Sequence, residues 1–205
     1  RSNETVVFLD STGRTYSLPG HTLPSARGQG EPLTGRLTPP SGARFRAVLG
    51  GMPSRWYLLA SDGGYGFLVQ LKDLLAKNKG GKAVLSLPAG AEVMGPAAVA
   101  DPERDRVVAI SNEGRMLVFP IVDLPRLTRG KGNKIIGIPA ARLARREEFV
   151  SHLAVVPEDA GLTLTAGKRT FTLKAADLDH YQGERGRRGS KLPRGFQRVT
   201  ALAVG

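Results

Sequence analysis

Residues 56–71 read WYLLASDGGYGFLVQL, an apolar run, the turn Asp62-Gly63-Gly64, and a second apolar run. Each flank is short and rich in Leu, Val, Phe and Tyr, with turn residues between them, the pattern of two antiparallel strands joined by a hairpin. Asp and Gly accept the positive φ that a tight hairpin turn demands. The same design returns in TVVFLDSTGRTYSL from Thr5, VVAISNEGRMLVFPI from Val107 and LTLTAGKRTFTL from Leu162. With Gly13, Gly64, Gly114 and Gly167 as turn markers, the intervals are 51, 50 and 53 residues. The chain is a fourfold repeat.

After the last three hairpins comes an Asp-Leu pair (Asp73-Leu74, Asp123-Leu124, Asp177-Leu178), then a basic glycine-containing loop. A short strand is expected after two of those loops, over AVLSLP and KIIGIP, and a closing strand in every unit, over FRAVLGG, PAAVA, SHLAVV and RVTALAV. The best helical candidate is Pro139 to Phe149 (PAARLARREEF), a turn or two at most. One small antiparallel sheet cannot bury both faces alone, so four-stranded units repeating every 50 residues or so read as stacked propeller blades. Trp-Asp and kelch diglycine signatures do not repeat. The expected fold is all-β: a propeller-like array of four-stranded blades in an open or broken ring. It forms one domain over residues 1–205, with repeats at 5–50, 55–100, 106–156 and 162–205.

Composition is that of a folded globular chain: 205 residues, 40% apolar and 23% charged. There is no cysteine, so neither disulfides nor thiolate metal sites are available, in keeping with a reducing cytoplasm. No apolar run approaches the roughly 20 residues that cross a bilayer. A start at Arg-Ser-Asn without an initiator Met reads as an excised piece of something longer.

The net charge of +12 is unevenly placed. Residues 77–82 (KNKGGK), 126–134 (RLTRGKGNK) and 184–198 (ERGRRGSKLPRGFQR) together hold the whole excess, leaving the rest neutral. Any one such loop reads as a solvated surface turn; three at regular spacing point to a polyanion. Duplex DNA carries about one charge per 1.7 Å, and glycine-flanked loops let backbone amides and cations both approach phosphate oxygens. The candidate DNA-binding residues are Lys77, Lys79 and Lys82; Arg129, Lys131 and Lys134; and Arg185, Arg187, Arg188, Lys191, Arg194 and Arg198. Arg27 and Arg36 mark a weaker first loop.

Competing chemistries fare worse. No Gly-Lys pair has both the upstream glycine and the following hydroxyl of a nucleotide-binding P-loop. His21, His152 and His180 lack metal-ligand spacing, and no G-x-S-x-G elbow exists. Tyr16, Tyr57, Tyr65 and Tyr181 read as blade residues, as do Trp56 and Phe119. Aromatics are 6% of the chain and do not interleave with the basic loops, which disfavours single-strand stacking. The acidic clusters Asp101, Glu103, Asp105 and Glu147-Glu148 are expected as solvated loops turned away from DNA.

Four runs, SARGQGEPLTG (25–35), DGGYGFLVQLKDLLAKNKGGKAVLSLP (62–88), RGKGNKIIGIP (129–139) and GERGRRGSKLPRGFQR (183–198), resemble the C-terminal domain of the ParC family, the DNA-cleaving subunits of topoisomerase IV. The sister gyrase A family carries a Gln-Arg-Arg-Gly-Gly-Lys-Gly box that is absent here, which favours topoisomerase IV and speaks against strong chiral wrapping of DNA. The resemblance implies a pinwheel whose blades exchange strands, with duplex DNA along the basic rim and no active site in this segment. It implies a non-catalytic part of an ATP-dependent type IIA topoisomerase that relaxes supercoils and separates linked chromosomes. ATP and Mg belong, on this reading, to the holoenzyme, whose ParE subunit does the ATPase work and whose ParC dimer cleaves DNA. An SMC-type condensin is a further expected partner. The expected location is the cytoplasm, at the nucleoid, with the holoenzyme peripheral to the inner membrane. The rival readings are a protein-interaction propeller docking an acidic partner, or a DNA-wrapping domain of the gyrase A type.

Overall fold

The computed structural model describes residues 4–205, so the first three residues of the expected domain lie outside the described ones. The first unit supplies β1 (Thr5–Asp10), β2 (Arg14–Pro19) and β3 (Phe45–Leu49). The second supplies β4 (Trp56–Ser61), β5 (Tyr65–Gln70), β6 (Lys82–Ala83) and β7 (Ala97–Val99). The third has β8 (Arg106–Ser111), β9 (Arg115–Pro120), β10 (Asn133–Lys134), helix α1 (Ala140–Ala144) and β11 (Val150–Val156). The fourth has β12 (Leu162–Ala166), β13 (Arg169–Leu173), α2 (Ala175–Leu178), β14 (Ser190–Lys191) and β15 (Ala201–Val204).

These strands build three four-stranded sheets and one three-stranded sheet, in the orders β3-β1-β2-β6, β10-β5-β4-β7, β11-β8-β9-β14 and β13-β12-β15. Every pairing between named strands is antiparallel. The fourth strand of each four-stranded sheet is contributed by the next unit: β6 joins β2, β10 joins β5, and β14 joins β9. The strands expected over AVLSLP and KIIGIP are therefore two residues long, begin earlier, and belong to the preceding sheet. Among the described residues none supplies such a strand to β13, and the last sheet has three strands. Nor does any strand pairing among the described residues join the first sheet to the fourth.

Stacking explains the nearly unbroken apolar runs. Alternate residues of a strand face opposite sides, and each inner sheet is covered on both. Tyr57 and Leu59 pack toward Val7, Leu9 and Leu49 of the first sheet. Their neighbours Leu58 and Ala60 pack toward Val107, Ala109 and Phe119 of the third. Val108 and Ile110 then face Leu162, Leu164 and Leu173 of the fourth. The fourth sheet has a neighbour on one side, and its strand LTLTA shows the difference: Leu162 and Leu164 are buried while Thr163 and Thr165 are partly exposed. On the first sheet, Phe8, Tyr16 and Leu18 are covered by Leu23, Leu33 and Leu37 of the long loop after β2.

Candidate nucleic-acid interface

Each of the last three basic loops runs directly into the two-residue strand it donates, so strand exchange fixes where that charge lies. At the point of entry sits a glycine with positive φ: Gly81 (+66°), Gly132 (+79°) and Gly189 (+74°). A Cβ there would lie 2.4 Å from the Thr15 carbonyl oxygen, 2.0 Å from that of Gly66, or 2.6 Å from that of Met116. Only glycine has both the conformational freedom and the missing side chain that this approach requires.

Consecutive loops are also bonded to one another. The Thr38 N–H donates to the Lys79 carbonyl (2.9 Å), linking the first loop to the second. Gly130 donates to the Val84 carbonyl (2.8 Å) and accepts from the Ser86 N–H (3.0 Å), linking the second to the third. Gly186 donates to the Ile135 carbonyl (3.0 Å), and Gly137 donates to that of Arg187 (2.8 Å), linking the third to the fourth. The four loops thus form one continuous periphery. Between the third and fourth, Lys131, Lys134, Arg185 and Arg187 line an open groove with Tyr65 and Glu184.

Within this periphery the nominated cations fall into two groups. Arg27, Lys77, Lys79, Arg129, Lys134, Lys191, Arg194 and Arg198 are exposed, with no side-chain partner among the described residues. Lys131 is exposed too, its Nζ resting 4.7 Å from the Tyr65 ring centre. The others have structural work. Arg36 donates to the Thr22 carbonyl and hydroxyl (2.8 and 2.6 Å), and the Lys82 ammonium donates to the Asp73 carbonyl. Arg185 donates to the Lys134 carbonyl (2.7 Å). Arg187 pairs with Glu184 (2.9 Å), and Arg188 binds the Gly137 carbonyl (2.7 Å) and Glu148 (2.6 Å). Arg126, counted with the third loop for its charge, turns away to Glu103 and the Trp56 ring.

Two acidic residues differ from expectation. Glu148 is fully buried, its carboxylate within 2.6 Å of Arg188 and 3.2 Å of Arg142, at angles that miss hydrogen-bond geometry. Asp105 is buried because its carboxylate accepts the N–H groups of Ala100 and Asp101 at 3.1 and 2.9 Å. Asp62 likewise holds Arg146 in a two-pronged pair at 2.9 and 2.8 Å. These carboxylates organise the blade junctions and lie outside the solvated class. Three of the tyrosines, Tyr16, Tyr57 and Tyr181, are buried, and Tyr65 is half-buried. Burial, and next the hydrogen bond to Asp10, raises the Tyr16 phenol to about 12. Burial lowers the pKa of His152.

Strand positions, not only loops, serve the rim. Arg14 opens β2 and donates from Nε and Nη2 to the Gly80 carbonyl (3.1 and 2.8 Å) and from Nη2 to that of Gly81 (3.1 Å). Arg115 opens β9 and donates to the Gly189 carbonyl (3.1 Å). Neither stands out in the sequence, since a cation on a strand carries no loop signature; their recurrence just after the turn glycine is the available clue. No group of three or more potential metal ligands occurs among the described residues, and no described helix is long and apolar enough to cross a membrane.

Comparison with known proteins places this arrangement. The family model for the DNA gyrase C-terminal domain, beta-propeller, matches residues 55–100 and 105–157. The A-type subunit of DNA topoisomerase 4 from Pseudomonas aeruginosa is 62% identical over 204 residues, covering 100% of this chain and 27% of that protein. The Escherichia coli K12 protein of the same name is 50% identical over the same share. The chain therefore spans 27% of the length of these curated relatives. The solved E. coli ParC C-terminal domain superposes with a TM-score of 0.93 at 49% identity, over 100% of this chain and 82% of that one. The solved DNA gyrase A C-terminal domain, at 14% identity and TM-score 0.71 over 100% of this chain and 67% of that one, shares the fold.

Proposed function

This chain belongs to the ParC C-terminal domain family of topoisomerase IV, and on that premise we propose that it binds duplex DNA along its cationic periphery and bends it. The observation that carries the reading is the backbone bonding of four successive loops into one rim, with unpaired Lys and Arg side chains along it. A duplex that touches several of these loops has to follow their curve. Bending 20–30 base pairs costs on the order of 1–6 kcal/mol, which several phosphate contacts offset and one loop does not. Phosphate contacts position a duplex without reading bases, so sequence preference is weak.

In the longer protein, the domain helps a type IIA topoisomerase choose and hold segments for decatenation and supercoil relaxation. ATP and Mg act at the partner ParE, and strand cleavage belongs to the rest of the ParC dimer. The work is done in the cytoplasm, at the nucleoid.

Ligase-catalysed ring closure of fragments near one persistence length, about 150 base pairs, tests the reading. Bound chain should speed closure. Binding without faster closure removes the bending, and no duplex binding at low salt removes the function, leaving the acidic-partner reading in its place.

A further inference from the structure

We infer that Arg14, Tyr65 and Arg115 are positioning residues for the DNA-facing loops; the DNA half of this inference rests on the function proposed above. All three occupy one place in the repeat, the first residue of the hairpin's return strand. Each opposes the donated dipeptide in register: Arg14 pairs with Ala83, Tyr65 with Lys134 and Arg115 with Lys191. From there the side chain reaches the loop that has just entered the sheet.

The way each one grips is visible. Arg14 spends three donor contacts on the carbonyls of Gly80 and Gly81, and Arg115 places Nη1 on the carbonyl of Gly189. The residues gripped are the entry glycines, or their neighbour, whose backbone conformation decides how the loop leaves the sheet. In the third loop a tyrosine replaces the arginine, and the group held is the Lys131 ammonium itself, over the ring face. A guanidinium engaged by backbone carbonyls is a poor phosphate ligand, so Arg14 and Arg115 act on DNA through the loops they hold. In the fourth sheet the corresponding Arg169 has no incoming strand among the described residues, and its guanidinium lies against Gly195.

Charge-preserving variants separate positioning from simple charge. Lysine keeps the charge of Arg14 or Arg115 but not the planar fork. Arg14→Lys and Arg115→Lys are expected to weaken binding of a 30-base-pair duplex, read by fluorescence anisotropy, about 10-fold. Tyr65→Phe retains the ring and the affinity, whereas Tyr65→Leu loses about 3-fold. Amide hydrogen exchange without DNA is the independent arm. Arg14→Lys should speed exchange over residues 79–83 and leave 184–191 at the wild-type rate, which also certifies the fold; Arg115→Lys should do the reverse.

Unchanged exchange in the gripped loop overturns the positioning role whatever DNA does. Faster exchange with unchanged affinity overturns its relevance to DNA. Wild-type chain that fails to bind duplex defeats the proposed function, and the exchange arm still decides the positioning.

Discussion

The salt dependence of duplex binding can be worked out from which rim cations are unoccupied. Arg36, Lys82 and Arg185 are committed to backbone carbonyls or a hydroxyl, and Arg187 and Arg188 to carboxylates. That leaves Arg27, Lys77, Lys79, Arg129, Lys131, Lys134, Lys191, Arg194 and Arg198. If all nine met phosphates, log K would fall with log salt at a slope of about −8, a loss of up to about 10⁵ between 50 and 200 mM. Replacing Lys77 and Lys79 together by Gln should flatten the slope by about 1.8 and leave the unfolding transition in place. Arg188→Gln should do the opposite. It leaves the slope alone but removes one of two partners from the buried Glu148. That costs about 2 kcal/mol, short of the roughly 3–5 kcal/mol for a fully broken buried pair because Arg142 remains. Anisotropy titrations at four salt concentrations, with urea unfolding alongside, read both quantities. Equal slopes for wild type and the double Lys variant, or a flattening by Arg188→Gln as large as theirs, would refute the division of the cations.

Two further outcomes follow from the backbone and from burial. Gly132→Ala forces a left-handed residue, costing about 1–2 kcal/mol, and sets a methyl 2.0 Å from the Gly66 carbonyl oxygen. Gly30 has the same sign of φ (+75°) but nothing within 4 Å, so Gly30→Ala meets only the first cost. Thermal melts should rank Gly132→Ala well below Gly30→Ala, and equal melting temperatures would show that close approach is unimportant. The Tyr16 phenol, raised from 10.0 to about 12, contributes stability that is complete below pH 10 and is lost as pH climbs through 12. Ultraviolet titration should find a phenol still protonated at about pH 11 that Tyr16→Phe removes; identical titration of the two proteins would contradict it.

Much of this architecture is legible in the chain. Hairpins announce themselves because both flanks of each turn are apolar, and the four turn glycines set the interval. The polar outer face of the last sheet is written in the alternation of Leu162, Thr163, Leu164 and Thr165. What resisted reading has a common cause. A two-residue strand such as Asn133–Lys134 has no periodicity, and its partner on β5, far upstream, is chosen by tertiary geometry. The burial of Glu148 depends on Arg142 and Arg188, which converge on it from α1 and from the fourth loop. Charge counting singles out the loops but does not tell an open lysine such as Lys79 from Lys82, whose ammonium is turned back onto its own unit.

The exchange of strands between neighbours carries a consequence for how such arrays change length. Duplicating or deleting one interval of about 50 residues in register carries a donor and an acceptor together, so every internal pairing is restored and the misfit falls at the termini alone. Truncation after one unit, by contrast, takes away the donated dipeptide and leaves the preceding sheet with an open edge. Each blade is therefore completed only by its successor, and the array lengthens or shortens by whole intervals rather than by single sheets.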